Sequence, residues 1–213
     1  MATQSAASPS ATVSGLVKHH RIIIIGSGFS GLGMGIRLQQ SGEQDFILLE
    51  KEAGVGGTWR VNHYPGCACD VPSHLYSFSF EANPQWSRMF APQQEIKAYL
   101  EHCARKYDIL PHVKLNTAVE TLRWDDARGL WQIRCAGGAE FTANVVVSGM
   151  GGLAIPAYPN VQGLDQFQGK MFHSQQWDHS YDLTGKRVAV IGTGASAIQF
   201  VPYVQKKAAK LDL

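Results

Sequence analysis

The first strong hydrophobic pattern in the chain predicts a strand, a turn, a helix and a second strand. Ile22–Ile25 is apolar at every position after Arg21, which is typical of a parallel strand covered on both faces. A glycine-rich turn follows, then a helical stretch to Gln40 with Gly42 as its expected C-cap. Phe46–Leu49 predicts the next strand, and an acid stands directly after it.

Shorter patterns predict the elements that complete this first unit. Apolar residues at Ile96, Leu100 and Cys103 repeat at helical spacing within 94–107. The segment between Gly54 and Asp70 is loop-like and rich in aromatic residues. Further strands are predicted at 113–115, 119–122, 130–133 and 144–148, with 126–129 as a hairpin turn.

The same pattern begins again near the end of the chain. Pro156 and Pro159 mark a linker, after which 187–191 predicts a strand and 198–206 a helix. A further strand should begin at Lys210, where the chain has only four residues left. We therefore expect half of a second unit, in the front part of a longer protein or in an unusually short relative of one.

The first glycine turn has the context that a dinucleotide fingerprint needs. Its glycines allow a tight turn, a close approach of backbone to pyrophosphate, and close helix–strand packing. The helix N-terminus binds phosphate, and Glu50 can accept hydrogen bonds from ribose hydroxyls. The alternative is a structural turn beside a solvated acid. We assign this unit to FAD, with a turn formed by Gly26, Ser27, Gly28, Phe29, Ser30 and Gly31.

The second glycine turn has alanine in its third position, an accepted variant of the fingerprint. Its residues are Gly192, Thr193, Gly194, Ala195, Ser196 and Ala197. The residues that distinguish NADP from NAD would follow Leu213, so the pattern leaves that choice open. The alternative is a packing turn that binds no ligand. Neither Ser30 nor Ser196 has the flanking glycines of a hydrolase nucleophile elbow.

Composition and charge exclude several classes of function. A net charge of +2 among 213 residues, without a basic stripe, argues against nucleic acid. The spacing of Cys67 and Cys69 suits neither zinc nor a redox pair, and the eight histidines form no metal motif, so we predict reduced thiols and no metal. The start of the chain resembles neither a signal peptide nor a membrane span, and we expect a cytoplasmic protein.

Two long gapped patterns make the chain resemble the class B flavoprotein monooxygenases, and among them the Baeyer–Villiger monooxygenases. The family marker Phe-x-Gly-x-x-x-His-x-x-x-Trp stands at Phe167, Gly169, His173 and Trp177. A second family pattern is matched by Gly56, Gly57, Trp59, Tyr64, Pro65, Gly66 and Asp70. The resemblance extends from about Arg21 to Leu213.

The resemblance implies a position for each cofactor. FAD would lie along the first turn, Glu50 and Lys51, and NADP along the second turn. The marker residues would lie where the two domains join, and Asp70 would help to position a catalytic arginine from elsewhere in the family's sequence. The other residues implied to contact FAD are Gly57, Thr58, Trp59, Asp70, Val71 and Tyr76 near the flavin, and the backbone of Val119 near the adenine.

The implied fold is an α/β, FAD/NAD(P)-binding Rossmann-like three-layer fold with an incomplete second dinucleotide-binding domain. We predict a disordered tail at 1–18, an FAD-binding domain at 19–152, a linker with the family marker at 153–186, and the start of an NADP-binding domain at 187–213.

The implied activity is insertion of one oxygen of O₂ beside a ketone carbonyl, through a C4a-peroxyflavin. The substrate would be a small ketone or another lipophilic molecule, and the oligomeric state stays open. Alternatives are an N- or S-oxygenating flavin monooxygenase, a pyridine-nucleotide disulphide reductase and a non-catalytic FAD-binding fragment. Ala68 departs from the family, in which arginine usually precedes the Cys-Asp pair.

Overall fold

The computed structural model describes residues 17–213. The predicted tail at 1–18 lies mostly outside this range. Its boundary is wrong by one residue, because the first strand, β1, spans Lys18–Ile25 and starts three residues before Arg21. The added residues form a strand because Lys18 and His19 pair with Phe141 and Thr142 of a distant strand.

Six strands form the main sheet in the order β3-β2-β1-β6-β5-β4. β1, β2, β3 and β6 are parallel, whereas β4 and β5 extend the sheet as an antiparallel hairpin. β6 begins four residues earlier than predicted, because its first residues pair with β5. The strands are β2 (Phe46–Leu49), β3 (Val113–Lys114), β4 (Val119–Asp125), β5 (Leu130–Cys135) and β6 (Glu140–Ser148).

Three helices, two long and one of a single turn, cover one face of this sheet. Helix α1 (Phe29–Gln40) ends as predicted, with Gly42 in the left-handed region at φ 88°. Helix α2 (Thr58–Val61) is a single turn inside the predicted loop. Helix α3 spans Gln93–Lys106. Apolar residues of α1, α2 and α3 share one buried cluster with β1 and β2.

Side chains of the antiparallel strands cover the opposite face of the parallel strands β1 and β2. Ile23 and Ile47 of the parallel strands share a second buried cluster with Ile133, Cys135 and Phe141. The result is the expected three-layer arrangement, with helices on one side of the sheet and β-structure on the other. Both sets of buried side chains come from the alternate faces of β1 and β2, which explains why these strands are apolar throughout.

A separate two-stranded parallel sheet lies near the end of the chain. It consists of β7 (Arg187–Ala189) and β8 (Lys210–Asp212), connected by helix α4 (Ala195–Gln205). The expectation that the chain ends before this second strand was wrong, because three residues suffice to pair with β7. We call β1–α1–β2 with Glu50 the first nucleotide unit and β7–α4–β8 the second nucleotide unit.

The segment between the two units is irregular, with short 3₁₀ turns at Leu164–Gln166 and Ser174–Gln176. Within residues 17–213, no helix has the length and hydropathy needed to cross a membrane.

Candidate functional site

The glycines of the first turn are required by close backbone packing. Gly26 has φ 92°, and a Cβ there would lie 2.8 Å from the carbonyl oxygen of Gly149. A Cβ on Gly31 would overlap the carbonyl oxygen of Gly26 itself. The Gly149 N–H donates to the Ile25 carbonyl at 2.8 Å, so the end of β6 closes over the turn. The first and third fingerprint glycines therefore allow turn formation and helix packing.

The second fingerprint glycine leaves the start of α1 open to a ligand. Gly28 is the N-cap residue, and no side chain of the described chain caps this helix. The first helical N–H groups, at Phe29, Ser30 and Gly31, are thus available to an anion at the positive end of the helix dipole. Gly57 lies so close to Gly28 that a Cβ on Gly57 would be 2.7 Å from the Gly28 Cα. This arrangement fits the pyrophosphate of a dinucleotide.

Glu50 is buried beside this helix start. Its side chain is 4% exposed, and one carboxylate oxygen accepts from the Ser27 N–H at 2.8 Å and the Ser27 hydroxyl at 2.6 Å. The other oxygen accepts from the Glu52 N–H at 2.9 Å. A carboxylate offers about four lone-pair directions, so it can still accept a bond from a ribose hydroxyl. The Thr117 N–H donates to the Glu50 carbonyl at 2.7 Å, which brings the segment before Val119 to the same end of the sheet.

A cavity of about 480 Å³ opens beside Lys51. The Lys51 ammonium donates to the Ala154 carbonyl at 2.8 Å and thereby connects the linker to the end of β2. Arg60 and Lys97 also line the cavity and lie 3.7 Å and 3.5 Å from Glu101. The excess of basic side chains favours an anionic occupant. The cavity shares Lys51 with the residues that the resemblance assigns to FAD.

Aromatic side chains form the part of the site that the resemblance assigns to the flavin. The Trp59 indole donates to the Tyr76 hydroxyl at 3.2 Å, and their rings meet edge to face at 5.5 Å. Phe29 of the first turn packs edge to face on Tyr76 at 5.0 Å. Burial raises the pKa of Tyr76, so its hydroxyl stays protonated. Thr58 and Trp59 are the first two residues of the single turn α2, and Gly57 is its N-cap.

Asp70 is exposed at the end of the segment that follows α2. Its neighbour Cys69 is buried, where its N–H donates to the Ala91 carbonyl at 2.9 Å. Val71 is partly exposed and donates its N–H to the Cys69 sulphur at 3.4 Å. The carboxylate of Asp70 has no hydrogen-bond partner among residues 17–213, so it is free to contact a group outside them. With Ala68 in place of a basic residue, this part of the segment provides no positive partner for Asp70.

The cysteines of the same segment are poor redox groups. Cys67 and Cys69 are both free and buried. Burial raises the pKa of Cys67 to about 11 and also raises the pKa of Cys69. Thiols of this kind are mostly protonated at neutral pH, which argues against a disulphide-exchange reaction.

The second glycine turn is open where the first is packed. Gly192 has φ 110°, and a Cβ there or on Gly194 would have nothing within 4 Å. No side chain in the described part of the chain caps α4, which starts after Gly194. Thr193 and Ala195 are exposed, Ser196 is half-buried and Ala197 is buried. This turn can therefore offer N–H groups to a phosphate.

The family marker lies between the two units in sequence, and its tryptophan belongs to an aromatic row that connects helix α4 to Tyr64. Trp177 packs on Phe200 of α4 at 5.2 Å, and Phe200 packs on Tyr64 at 6.0 Å. His63 and His179 also meet across this junction, with ring nitrogens 2.9 Å apart. The structure thus packs Trp177 between Phe172 of its own segment and Phe200 of helix α4 in the second nucleotide unit.

The other marker residues have local contacts. His173 accepts a hydrogen bond from the Gln175 N–H through Nδ1 at 3.1 Å, which identifies it as the cap of a short turn. Phe167 is 62% exposed and lies over Gly169. Beside the marker, Lys170 contacts Asp178 at 2.7 Å and, with Ser180, lowers the pKa of that carboxyl to about 2. Phe167, Gly169 and His173 do not reach the first turn.

Sequence reasoning missed several residues that hold the site together. Gln93 donates to the Trp59 carbonyl, and Gln199 of α4 contacts the backbone of Ala68. Glutamine in a helix gives no functional signal in a single sequence, so neither was identifiable. The contact of Gly149 with Gly26 had a weak signal, because a cluster of glycines follows the predicted strand at 144–148.

Comparison with known proteins gives consistent results. A family model described as pyridine nucleotide-disulphide oxidoreductase matches residues 23–211. Over 196 residues, the chain is 66% identical to a Baeyer-Villiger monooxygenase of Pseudomonas aeruginosa and 54% identical to one of Streptomyces coelicolor. Both alignments cover 92% of this chain, but only 37% and 38% of the relatives, so the chain spans less than two fifths of their length.

Solved structures show the same relationship. An oxidized steroid monooxygenase bound to NADP superposes with a TM-score of 0.80 at 38% identity, covering 91% of this chain and 38% of its own. A closed structure of cyclohexanone monooxygenase superposes with a TM-score of 0.84 at 33% identity, covering 92% and 38%. The Rossmann-like fold and the similarity to flavin monooxygenases predicted from the sequence are confirmed.

Proposed function

The chain belongs to the pyridine nucleotide-disulphide oxidoreductase family, and from this premise we propose that it supplies the FAD-binding part of a Baeyer–Villiger monooxygenase. An enzyme of this class would use FAD and NADPH to insert one oxygen atom of O₂ beside the carbonyl of a ketone, and the other oxygen atom would leave as water. The similarity to monooxygenases of that name supports the proposal, as do both gapped patterns.

One observation in the structure carries the proposal. The uncapped start of α1 and the buried acid Glu50 lie together at the ends of adjacent parallel strands, β1 and β2. The helix start favours the negative pyrophosphate, and the carboxylate favours a ribose hydroxyl. An adenine dinucleotide presents both groups at one end. FAD, when bound, supplies the acceptor for the hydride and the centre that reacts with O₂.

The residues of this chain bind and orient the cofactors in the proposed function. Ser27 fixes the carboxylate of Glu50 through its N–H and hydroxyl, so the acid needs little rearrangement to accept a ribose. Trp59, Tyr76 and Phe29 form an aromatic wall that can exclude water from the flavin side. The second turn would hold the pyrophosphate of NADP at the start of α4. Asp70 would position a cation that the described residues do not supply.

The structure also favours the monooxygenase over the disulphide reductase. A reductase needs a reactive pair of thiols near the flavin, whereas Cys67 and Cys69 are buried with raised pKa values. Four free thiols are also typical of a protein in a reducing compartment, and we include a cytoplasmic location in the proposal on that basis.

The experiment that tests the function uses the full-length protein containing these residues, loaded with FAD. NADPH oxidation is measured with and without a cyclic ketone, and products are identified by mass spectrometry. We expect ketone-dependent oxidation and a lactone. An amine oxide or sulphoxide formed from matched amine and sulphide substrates, with no lactone, would identify the N- or S-oxygenating alternative. Bound FAD without any oxygenated product would identify a non-catalytic FAD-binding protein.

A further inference from the structure

A single glutamine connects the second nucleotide unit to the segment Tyr64–Asp70. The side-chain amide of Gln199 donates to the Ala68 carbonyl at 2.9 Å, and its oxygen accepts from the Ala68 N–H at 3.2 Å. The hydroxyl of Tyr64 donates to the same oxygen at 3.0 Å. The amide therefore bonds both backbone groups of one residue, as a neighbouring antiparallel strand would.

The surrounding packing shows that α4 and this segment are in backbone contact. Gly66 has φ 78°, and a Cβ there would lie 2.7 Å from the Gln199 carbonyl and would overlap the Tyr203 ring. Tyr64 is buried against Phe200 on the same helix. The glycine is thus needed for the helix to come this close.

The opposite side of the segment is held by the first part of the chain. The Gln93 N–H donates to the Cys67 carbonyl and the Cys69 N–H to the Ala91 carbonyl, each at 2.9 Å. Ala68, between these two anchors, has its own N–H and carbonyl bonded by Gln199. The segment Tyr64–Asp70 is therefore bonded on one side by residues 91–93 and on the other by α4, and it ends at Asp70, which the resemblance assigns to the flavin part of the proposed site.

We propose that Gln199 is a positioning residue for FAD: it holds the segment Tyr64–Asp70 from α4, so that the second nucleotide unit completes the FAD site. The inference rests on the proposed function, because it assigns FAD to the first unit. Gln199, a residue of the second nucleotide unit, is then a determinant of FAD affinity.

The test compares FAD affinity among variants of helix α4 by flavin fluorescence. Gln199→Leu keeps a side chain of similar bulk and removes the three hydrogen bonds. We expect its Kd for FAD to rise about tenfold. Gln205→Leu is the matched control, because Gln205 lies on the same helix and is exposed, and we expect a change within about twofold. Equal Kd values for the two variants would overturn the inference.

A second variant separates positioning from a general loss of stability. Gln199→Glu keeps the acceptor for Tyr64 and Ala68, but an ionised carboxylate cannot donate to the Ala68 carbonyl. The protonated carboxyl can donate, and a glutamic acid protonates mainly below about pH 4.3, so the Kd of this variant relative to the wild type should decrease as the pH is lowered from about 7.5 to about 4. Burial holds the pKa of Tyr64 at about 12 and of Cys67 at about 11, so neither titrates in this range. A ratio that does not change with pH would contradict the assigned role.

Hydrogen exchange at the Ala68 amide tests the contact without any cofactor. We expect this amide to be protected in the wild type and in Gln205→Leu, and to exchange at least about tenfold faster in Gln199→Leu. Faster exchange with an unchanged Kd would overturn the positioning role alone and leave the proposed function standing. A wild-type chain that protects Ala68 but binds no FAD would instead contradict the proposed function, and with it the role in FAD binding.

Discussion

The two nucleotide units carry nearly the same fingerprint, yet their turns differ in how they are packed. In the first unit, Gly26 and Gly31 lie against backbone, and β1 is central in a six-stranded sheet. In the second, Gly192 and Gly194 have open space where a Cβ would point, and β7 pairs in a sheet of two strands. Ile191, which follows β7, is 73% exposed, whereas Ile25 at the end of β1 is buried.

The difference shows that one motif can have separable structural and ligand-binding requirements. Gly26 and Gly31 in the first turn are needed for the fold itself, whatever ligand is present. In the second turn, only Gly192 needs glycine for its backbone angle, and Gly194 has φ −74°, which any residue adopts. A change at Gly194 therefore tests nucleotide binding with little effect on folding, which no change at Gly31 can do.

The largest expected difference is between Gly31→Ala and Gly194→Ala. A methyl group on Gly31 would overlap the Gly26 carbonyl, and because both belong to one tight turn the backbone cannot relax around it. We expect a loss of about 3 kcal/mol or more in the free energy of unfolding. For Gly194→Ala we expect a change within about 0.5 kcal/mol. Urea denaturation followed by circular dichroism measures both, and similar losses would show that the turns are packed alike.

The next effect concerns the thiols of Cys67 and Cys69 in the segment Tyr64–Asp70. A pKa of about 11 for Cys67 leaves about 100-fold less thiolate at pH 8 than an ordinary cysteine has. We expect alkylation by iodoacetamide to be slower by at least that factor until the protein unfolds, as measured by mass spectrometry. Rapid alkylation of Cys67 and Cys69 after reduction by NADPH would revive the disulphide reductase alternative.

A smaller effect is expected from Glu50→Gln in the first unit. The carboxylate of Glu50 accepts hydrogen bonds through both of its oxygens, from Ser27 and from the Glu52 N–H. An amide in its place has only one oxygen, so its NH₂ group would face one of these donors and leave buried donors unpaired. We expect this variant to lose about 1–3 kcal/mol in the free energy of unfolding, as measured by thermal denaturation.

The control for this variant is Asp212→Asn in the second unit. Asp212 is exposed, and its carboxylate contacts Lys210 at 3.0 Å. Because an exposed ion pair contributes little, this variant should change the free energy of unfolding by less than about 0.5 kcal/mol. Equal losses in the two variants would contradict the contrast between the units.

The smallest effect is expected in the linker, where a charged pair is exposed to solvent. Lys170 and Ser180 lower the pKa of Asp178 to about 2, below the value of about 3.9 in an unfolded chain. The stabilisation is therefore present above about pH 4 and is lost as the pH falls toward 2. Lys170→Gln should move this loss to higher pH, with little change at neutral pH. Melting temperatures between pH 2 and 5 measure the shift, and identical profiles would show that the pair contributes nothing.

Much of the fold was predictable because its elements have strong local patterns. The apolar run Ile22–Ile25 and the helical repeat around Leu100 identified β1 and α3. The single turn α2 was missed, because it depends on Gly57 at φ 53° and on the burial of Trp59 by distant residues. The start of β1 at Lys18 was missed for a similar reason, since it depends on pairing with β6.

The candidate site was predictable where a motif specifies backbone geometry. The turn around Gly28 and the acid Glu50 lie together as the fingerprint requires. The bond from Ser27 to Glu50 and the contact of Gln199 with Ala68 were not predictable, because they join groups that are distant in sequence. Such contacts arise from the packing of whole elements, and a single sequence contains no pattern for them.

The central claim is that the first nucleotide unit holds FAD, and an equilibrium titration with FAD tests it most directly. The titration is followed by flavin fluorescence for the wild type, Gly28→Ala and Gly194→Ala. A Cβ on Gly28 would meet Gly57 at an ordinary 3.4 Å, so this variant should fold while its methyl group obstructs the approach of the pyrophosphate. We predict one FAD per wild-type chain, binding weakened at least about tenfold in Gly28→Ala, and unchanged binding in Gly194→Ala. No binding by the wild type, or a loss in Gly194→Ala as large as that in Gly28→Ala, would contradict the account.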